Sequence, residues 1–131
     1  MSLVVDASVV VAALVDAGAD GQWAERTLLS GPLLAPHLMP AEATNVLRRA
    51  IGTGAVDETT AALAAVDLGD LDVTLVAFRP LAERIWELRA NLTSYDAWYV
   101  ALAEGAGCPL ATLDRRLAQS PGVQCEVLIR D

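Results

Sequence analysis

Residues 3–8 read Leu-Val-Val-Asp-Ala-Ser, an apolar triplet stopped by a carboxylate. A short run of Leu and Val with no polar alternation marks a strand covered on both faces. The chain then turns apolar again at once, and Ser8 to Val15 reads as a helix closed by Asp16. A buried strand leading directly into a helix is the first half of a βα unit, and the rest of the chain keeps that rhythm. Asp20 is placed to cap a second helix ending near Gly31, and Leu33 to Ala35 is a strand closed by Pro36. Pro40 sits where a helix favours its first residue, and that helix runs through Ile51 to a stop at Gly52 or Gly54. Asp57 caps an Ala-rich helix to Leu68, and Val73 to Val76 is the third strand. Pro80 opens a helix to about Leu92, and Ser94 caps another from Tyr95 to Glu104, stopped by Gly105 and Gly107. Leu110 to Thr112 is a strand, Asp114 starts a short helix, and Val123 to Leu128 is the last strand. The pattern predicts an α/β fold of three layers, α/β/α, with a central, mostly parallel sheet of about five short strands in one domain over residues 1–131. Ligands of such sheets sit beyond the carboxyl ends of the strands, at a topological switch point, so the polar groups just past the strands matter most.

Composition narrows the chemistry. The chain has 131 residues, is 54% hydrophobic, and carries a net charge of −8 from 17 acids and 9 bases. Every base is Arg, and the absence of Lys excludes P-loop NTPases, phospho-acceptor receivers and Schiff-base enzymes, which need an ammonium at the reacting centre. Bulk electrostatics at this charge do not support non-specific nucleic-acid binding. A nucleic acid becomes an admissible substrate only where arginines gather or a divalent cation stands between acid and phosphate. No Lys or Arg precedes Arg26, and the longest largely apolar run, Ala7 to Val15, falls short of the ~20 residues of a membrane span. A cytoplasmic protein without a membrane segment is the expectation. Cys108 and Cys125 form no disulfide framework and no zinc spacing, and His37, the sole histidine, reads as a loop residue. Chemistry in this chain therefore falls to carboxylates. The high apolar content for so small a body predicts a surface that faces a partner.

Four carboxylates stand out by position: Asp6 directly after the first strand, Glu42 and Asp96 in the first turns of their helices, and Asp114 after the strand ending at Thr112. An acid in a first turn has an ordinary explanation, since it complements the helix dipole for ~0.3–1 kcal/mol. That explanation serves Glu42, Asp96 and Asp114 singly, as turns and solvated faces serve Asp16, Asp20, Asp57, Asp67, Asp70 and Asp72. Asp6 resists it, because it interrupts an apolar stretch and a buried charge must be paired or coordinated. If the first and fourth strands are neighbours, Asp6 and Asp114 meet at one switch point with Asp96 and Glu42 alongside. Like charges so close raise one another's pKa, and a divalent cation removes the conflict. Hard Mg²⁺ or Mn²⁺ takes carboxylate and water oxygens and stabilises charge on a phosphoryl oxygen, so the chemistry expected is metal-assisted phosphodiester hydrolysis.

The same residues carry a family resemblance. Val4-Val5-Asp6-Ala7-Ser8 resembles the opening motif of PIN-domain nucleases, and Pro40-Ala41-Glu42-Ala43-Thr44-Asn45-Val46-Leu47 their second. Leu92-Thr93-Ser94-Tyr95-Asp96-Ala97-Trp98-Tyr99-Val100-Ala101-Leu102-Ala103 is very like the third motif of the VapC toxins. Ala111-Thr112-Leu113-Asp114-Arg115-Arg116-Leu117 is similar to the fourth. The four blocks span residues 4–117 in order, and the stretch from Asp57 to Leu92 carries none. The resemblance implies a PIN-like fold and an Mg²⁺-dependent endoribonuclease, with Mn²⁺ as substitute. It also implies the toxin of a type II toxin–antitoxin pair, a homodimer neutralised by a VapB-type antitoxin. By that carry-over Asp6, Glu42, Asp96 and Asp114 form the acidic, metal-holding site, with Asp6 and Asp96 foremost for the metal.

Ser8, Asn45 and Thr112 are candidates for orienting those carboxylates by hydrogen bonds. Their ordinary readings are a helix cap, a solvated helix residue and a strand residue. Glu42, Asn45 and Arg49 share one helical stripe. Arg48, Arg49, Arg89, Arg115 and Arg116 are candidates for RNA phosphates or for solvated salt bridges. Trp23, Trp86, Trp98, Tyr95 and Tyr99 read as core or interface residues. The groove for the antitoxin is expected along the first helices, at Val10 to Leu14 and Trp23 to Leu29. Two other classes compete: a metal-dependent DNA nuclease, and a non-catalytic scaffold whose acids merely cap helices.

Overall fold

The computed structural model describes all 131 residues. Five strands, β1 (Leu3–Val5), β2 (Leu33–Pro36), β3 (Val73–Val76), β4 (Leu110–Ala111) and β5 (Val127–Leu128), form one sheet in the order β3-β2-β1-β4-β5. Every neighbouring pair is parallel, with Val4 opposite Leu34 on one side and Leu110 on the other. Seven helices connect them: α1 (Ala7–Val15), α2 (Ala19–Leu28), α3 (Met39–Thr53), α4 (Glu58–Gly69), α5 (Ala82–Glu87), α6 (Ser94–Ala106) and α7 (Arg115–Gln119). From β1 the chain winds outward through β2 to β3, then returns across the sheet to β4. Right-handed crossovers therefore set α1–α4 on one face and α5–α6 on the other. The contacts follow this division, since α1 packs on α2, α3 and α4 while α5 packs on α6 and α6 lies against β1 and β2. The α/β/α reading holds, and the sheet is wholly parallel.

The core explains why β1 is so apolar. Val4, Val5, Val9, Val10, Leu110 and Val100 are completely buried, and the two helical layers close over the sheet from both sides. Gly21 lets α2 approach the end of α1, because a Cβ there would stand 1.7 Å from the Asp16 carbonyl oxygen. No helix is long and apolar enough to cross a membrane.

Several boundaries differ from the sequence reading. Asp6, not Ser8, caps α1, accepting from the Val9 N–H at 3.2 Å. Gly18 rather than Asp20 precedes α2, and Asp20 instead pairs with Arg130 at the C-terminus. Thr93, not Ser94, caps α6, its hydroxyl accepting from the Asp96 N–H at 3.2 Å. The helix expected from Pro80 to Leu92 is shorter: a 3₁₀ turn (Arg79–Leu81) leads into α5, which ends at Glu87. Of the expected helix stops, Gly54 and Gly107 adopt positive φ (77° and 64°), while Gly105 lies inside α6. The last strand is confined to Val127–Leu128. Ahead of it the Gln124 N–H donates to Glu104 of α6, and the Glu126 carbonyl accepts from the Leu110 N–H of β4.

Candidate active site

The switch point of the sheet lies between β1 and β4, where successive connections leave in opposite directions. Asp6 follows β1 and Asp114 follows β4 after Thr112 and Leu113. Thr112 is fully buried and joins the two: its hydroxyl donates to Asp6 Oδ2 at 2.5 Å and accepts from the Asp114 N–H at 3.0 Å. Ser8 does the same from the other side, donating to Asp6 Oδ1 at 2.5 Å and accepting from the Leu113 N–H at 3.2 Å. Asp6 is thus fixed through both oxygens by two hydroxyls and one backbone N–H. Burial nonetheless raises its pKa against the opposing pull of Ser8, Thr112 and the α1 amides.

The helices bring in the other acids. Asp96 occupies the first turn of α6, and its pKa is raised by burial and then by the negative charge of Asp114. Glu42 occupies the first turn of α3, on the opposite layer, and its pKa is raised by burial and by both Asp96 and Asp6. The four acids are therefore electrostatically one cluster, though they come from four segments. An open cleft of about 320 Å³ is lined by Thr93, Asp96, Asp114, Arg116 and their neighbours. Arg116 partly neutralises it, its guanidinium 3.3 Å from Asp114 Oδ1.

The donor set fits a hard divalent cation, because it is made of carboxylate and hydroxyl oxygens. No group of three or more His, Cys, Asp or Glu side chains is set closely enough to hold a metal ion by itself, so an ion here would be held by one or two carboxylates and would keep most of its waters.

Two other candidates land differently. Asn45 is exposed on α3 and its carbonyl accepts from Arg48 Nε at 3.0 Å, so it touches none of the acids. Tyr99, read from sequence as a core or interface residue, is buried as expected. Its hydroxyl also reaches the site, donating to Glu42 Oε1 at 2.7 Å. The signal for it was present, since Asp96 and Tyr99 lie three residues apart and share a face of α6. His37 is an exposed turn residue. Among the arginines, Arg89 stacks on Trp86 with its guanidinium carbon 4.4 Å from the ring centre, and Arg115 donates to the Arg130 carbonyl.

Comparisons with known proteins bear on the family and the fold. The PIN domain model matches residues 3–122. The VapC ribonuclease Mb0985 of Mycobacterium bovis is 40% identical over 127 residues, which cover 97% of each chain. Among solved structures, VapC20 of Mycobacterium tuberculosis, described as a Sarcin-Ricin loop cleaving toxin, has a TM-score of 0.70 at 21% identity, covering 93% of this chain and 96% of that one. VapBC2 of Rickettsia felis, solved bound to a DNA fragment from its promoter, has a TM-score of 0.67 at 12% identity, covering 97% of this chain and 98% of that one. Sequence match and three-layer sheet together place this chain in the PIN domain family, among the VapC ribonucleases.

Proposed function

We propose that this protein is a divalent-cation-dependent endoribonuclease of the VapC toxin type, which hydrolyses RNA phosphodiester bonds in the cytoplasm. The observation that supports the reading is the burial and mutual charge coupling of acids just past β1 and β4 and in the first turns of α3 and α6, which raise the pKa values of Asp6, Glu42 and Asp96. Such a cluster costs free energy that a cation returns. Asp6 and Asp96 are the residues assigned to hold Mg²⁺, or Mn²⁺ in its place, with Asp114 and Glu42 completing the negative site. The cation, when bound, supplies Lewis-acid stabilisation of charge on a phosphoryl oxygen and acidifies a water in its shell.

The chain's own residues do the rest. Ser8 and Thr112 hold Asp6 in one orientation, so the carboxylate loses no rotamer freedom when it is used. Glu42, beside Asp6 and Asp96 with its pKa raised by burial and by their charge, is suited to take the proton of the attacking water. The water oxygen bonds to phosphorus in line as the opposite P–O ester bond breaks. The leaving oxygen departs with that bond's electron pair and takes a proton from solvent, giving one fragment a phosphate end and the other a hydroxyl. Arg116, ion-paired to Asp114 and fully on the surface, is placed to meet an incoming phosphate.

The neutralising partner is assigned as a VapB-type antitoxin, and the toxin itself as a homodimer. A groove of about 490 Å³ between α1, α2 and the segments leading into β2 and β3, lined by Leu14, Leu28, Leu29 and Leu71 with Glu25 and Asp72 among them, supports docking of a largely apolar segment there. Leu29 is 87% exposed beside it, an uncovered apolar side chain of the kind that marks an interaction surface. Val10, by contrast, is wholly buried and belongs to the core. The activity is tested by incubating purified protein with single-stranded RNA and, in parallel, single-stranded DNA, with Mg²⁺, with Mn²⁺ and with EDTA. Internal cleavage of RNA that EDTA abolishes and that is absent from Asp96→Asn is the expected result. Cleavage of DNA alone, or cleavage that persists in Asp96→Asn, would overturn it.

A further inference from the structure

We propose that Tyr99 is a positioning residue for the nuclease centre, holding the Glu42 carboxylate in its working orientation through the hydrogen bond from its hydroxyl. The inference rests on the ribonuclease reading above and extends it to a residue outside the acidic quartet.

The phenol ring is 2% exposed and packs in the core, yet its oxygen ends at Glu42 Oε1, 2.7 Å away. A buried Tyr hydroxyl needs a partner, and here Glu42 is the acceptor it finds. The bond spans the molecule's layers, since Tyr99 belongs to α6 and Glu42 to α3 on the opposite face of the sheet. Glu42 is the one acid of the four with three side-chain torsions, and it sits in a half-exposed first helical turn. Asp6 is held by Ser8, Thr112 and Val9, and Asp114 is held against Arg116. For Glu42 the corresponding clamp is Tyr99, which occupies Oε1 and leaves Oε2 without a protein donor. Because Asp96 and Tyr99 share a face of α6, one rigid helix sets both an acid and the clamp of another acid.

The test compares full-length wild type, Tyr99→Phe, Glu42→Ala and the double variant. The readouts are Mn²⁺ binding by calorimetry, Mn²⁺-dependent cleavage of single-stranded RNA, and the thermal midpoint in EDTA. Tyr99→Phe keeps the ring in the core and removes only the donor. It should lower kcat about tenfold, the worth of a hydrogen bond to a charged group, with KM within about twofold, and weaken Mn²⁺ binding severalfold. In the Glu42→Ala background, where no carboxylate remains to be held, the same change should alter neither quantity. Equal losses in both backgrounds, or a lower thermal midpoint with unchanged kcat and Mn²⁺ affinity, would reduce Tyr99 to a packing residue and overturn the proposal. If wild type cleaves no RNA but Tyr99→Phe still weakens Mn²⁺ only when Glu42 is present, the nuclease reading falls and the positioning role stands.

Discussion

Replacing Thr112 by Val probes the joint on which the site is built. The two side chains have nearly the same shape, and Thr112 is fully buried, so packing is preserved and only the hydroxyl is lost. That hydroxyl serves two neighbours, donating to Asp6 Oδ2 and accepting from the Asp114 N–H. Losing a hydrogen bond to a carboxylate is worth about 1.5–3 kcal/mol, and leaving an N–H unpaired adds about 1 kcal/mol where water reaches part of it. The expected destabilisation is about 2–4 kcal/mol, a substantial share of the ~5–15 kcal/mol of a typical domain. The loss should depend on pH. Thr112 lowers the pKa of Asp6 against the effect of burial, so its removal raises that pKa further and costs most where Asp6 is ionised. Urea unfolding in EDTA should show the full loss at pH ~7.5 and a smaller one at pH ~4, near the ordinary carboxylate pKa. RNA cleavage should fall about ten- to a hundredfold as Asp6 loses its fixed orientation, and Thr112→Ser should recover most of both. A loss under about 0.5 kcal/mol, the scatter of ordinary surface substitutions, together with unchanged cleavage, would refute the reasoning.

Three further outcomes follow from the geometry. Asp6, Glu42 and Asp96 have raised pKa values in the fold, so the stability they contribute is complete below their unfolded values of 3.8, 4.5 and 3.8 and is lost as pH rises through the folded ones. Unfolding in EDTA should therefore show a metal-free protein that weakens from pH ~4 toward neutrality, with Mg²⁺ flattening the decline; a stability that climbs over that range would contradict it. Gly21→Ala drives a Cβ to 1.7 Å from the Asp16 carbonyl, so thermal denaturation should show a loss of about 1–3 kcal/mol or more, and a neutral result would mean that α1 and α2 do not meet this closely. Leu29→Glu places a charge on the α2 groove, 87% exposed in the free chain, and should weaken antitoxin binding in a pull-down while RNA cleavage is kept; retained binding would move the interface elsewhere.

The fold was largely legible because its signals are local. The apolar triplet before Asp6, Pro40 near the start of α3, the Asp57 cap and the glycines after α3 and α6 each act within a few residues. The acids past β1 and β4 could be placed together because the alternation of strands and helices dictates a switch point. What was not legible depends on contacts distant in sequence. The hydrogen bonds that hold the segment before β5, from the Gln124 N–H to Glu104 and from the Leu110 N–H to the Glu126 carbonyl, join residues far apart in sequence. Asn45 shares a helical stripe with Glu42, but its partner is Arg48 on the next turn, which the stripe alone does not reveal. Tyr99 looked like core because it is core; only the 57-residue separation bridged to Glu42 shows its second use.

The proposed function requires a divalent cation to relieve the charge of Asp6, Glu42, Asp96 and Asp114. Calorimetric titration of Mn²⁺ into metal-free wild type, Asp6→Asn and Asp96→Asn tests it most directly, with circular dichroism to establish that all three remain folded. Saturable binding in wild type that is lost or greatly weakened in both variants is the predicted result. Folded wild type that binds no Mn²⁺ up to millimolar concentration, or variants that bind as tightly as wild type, would contradict it.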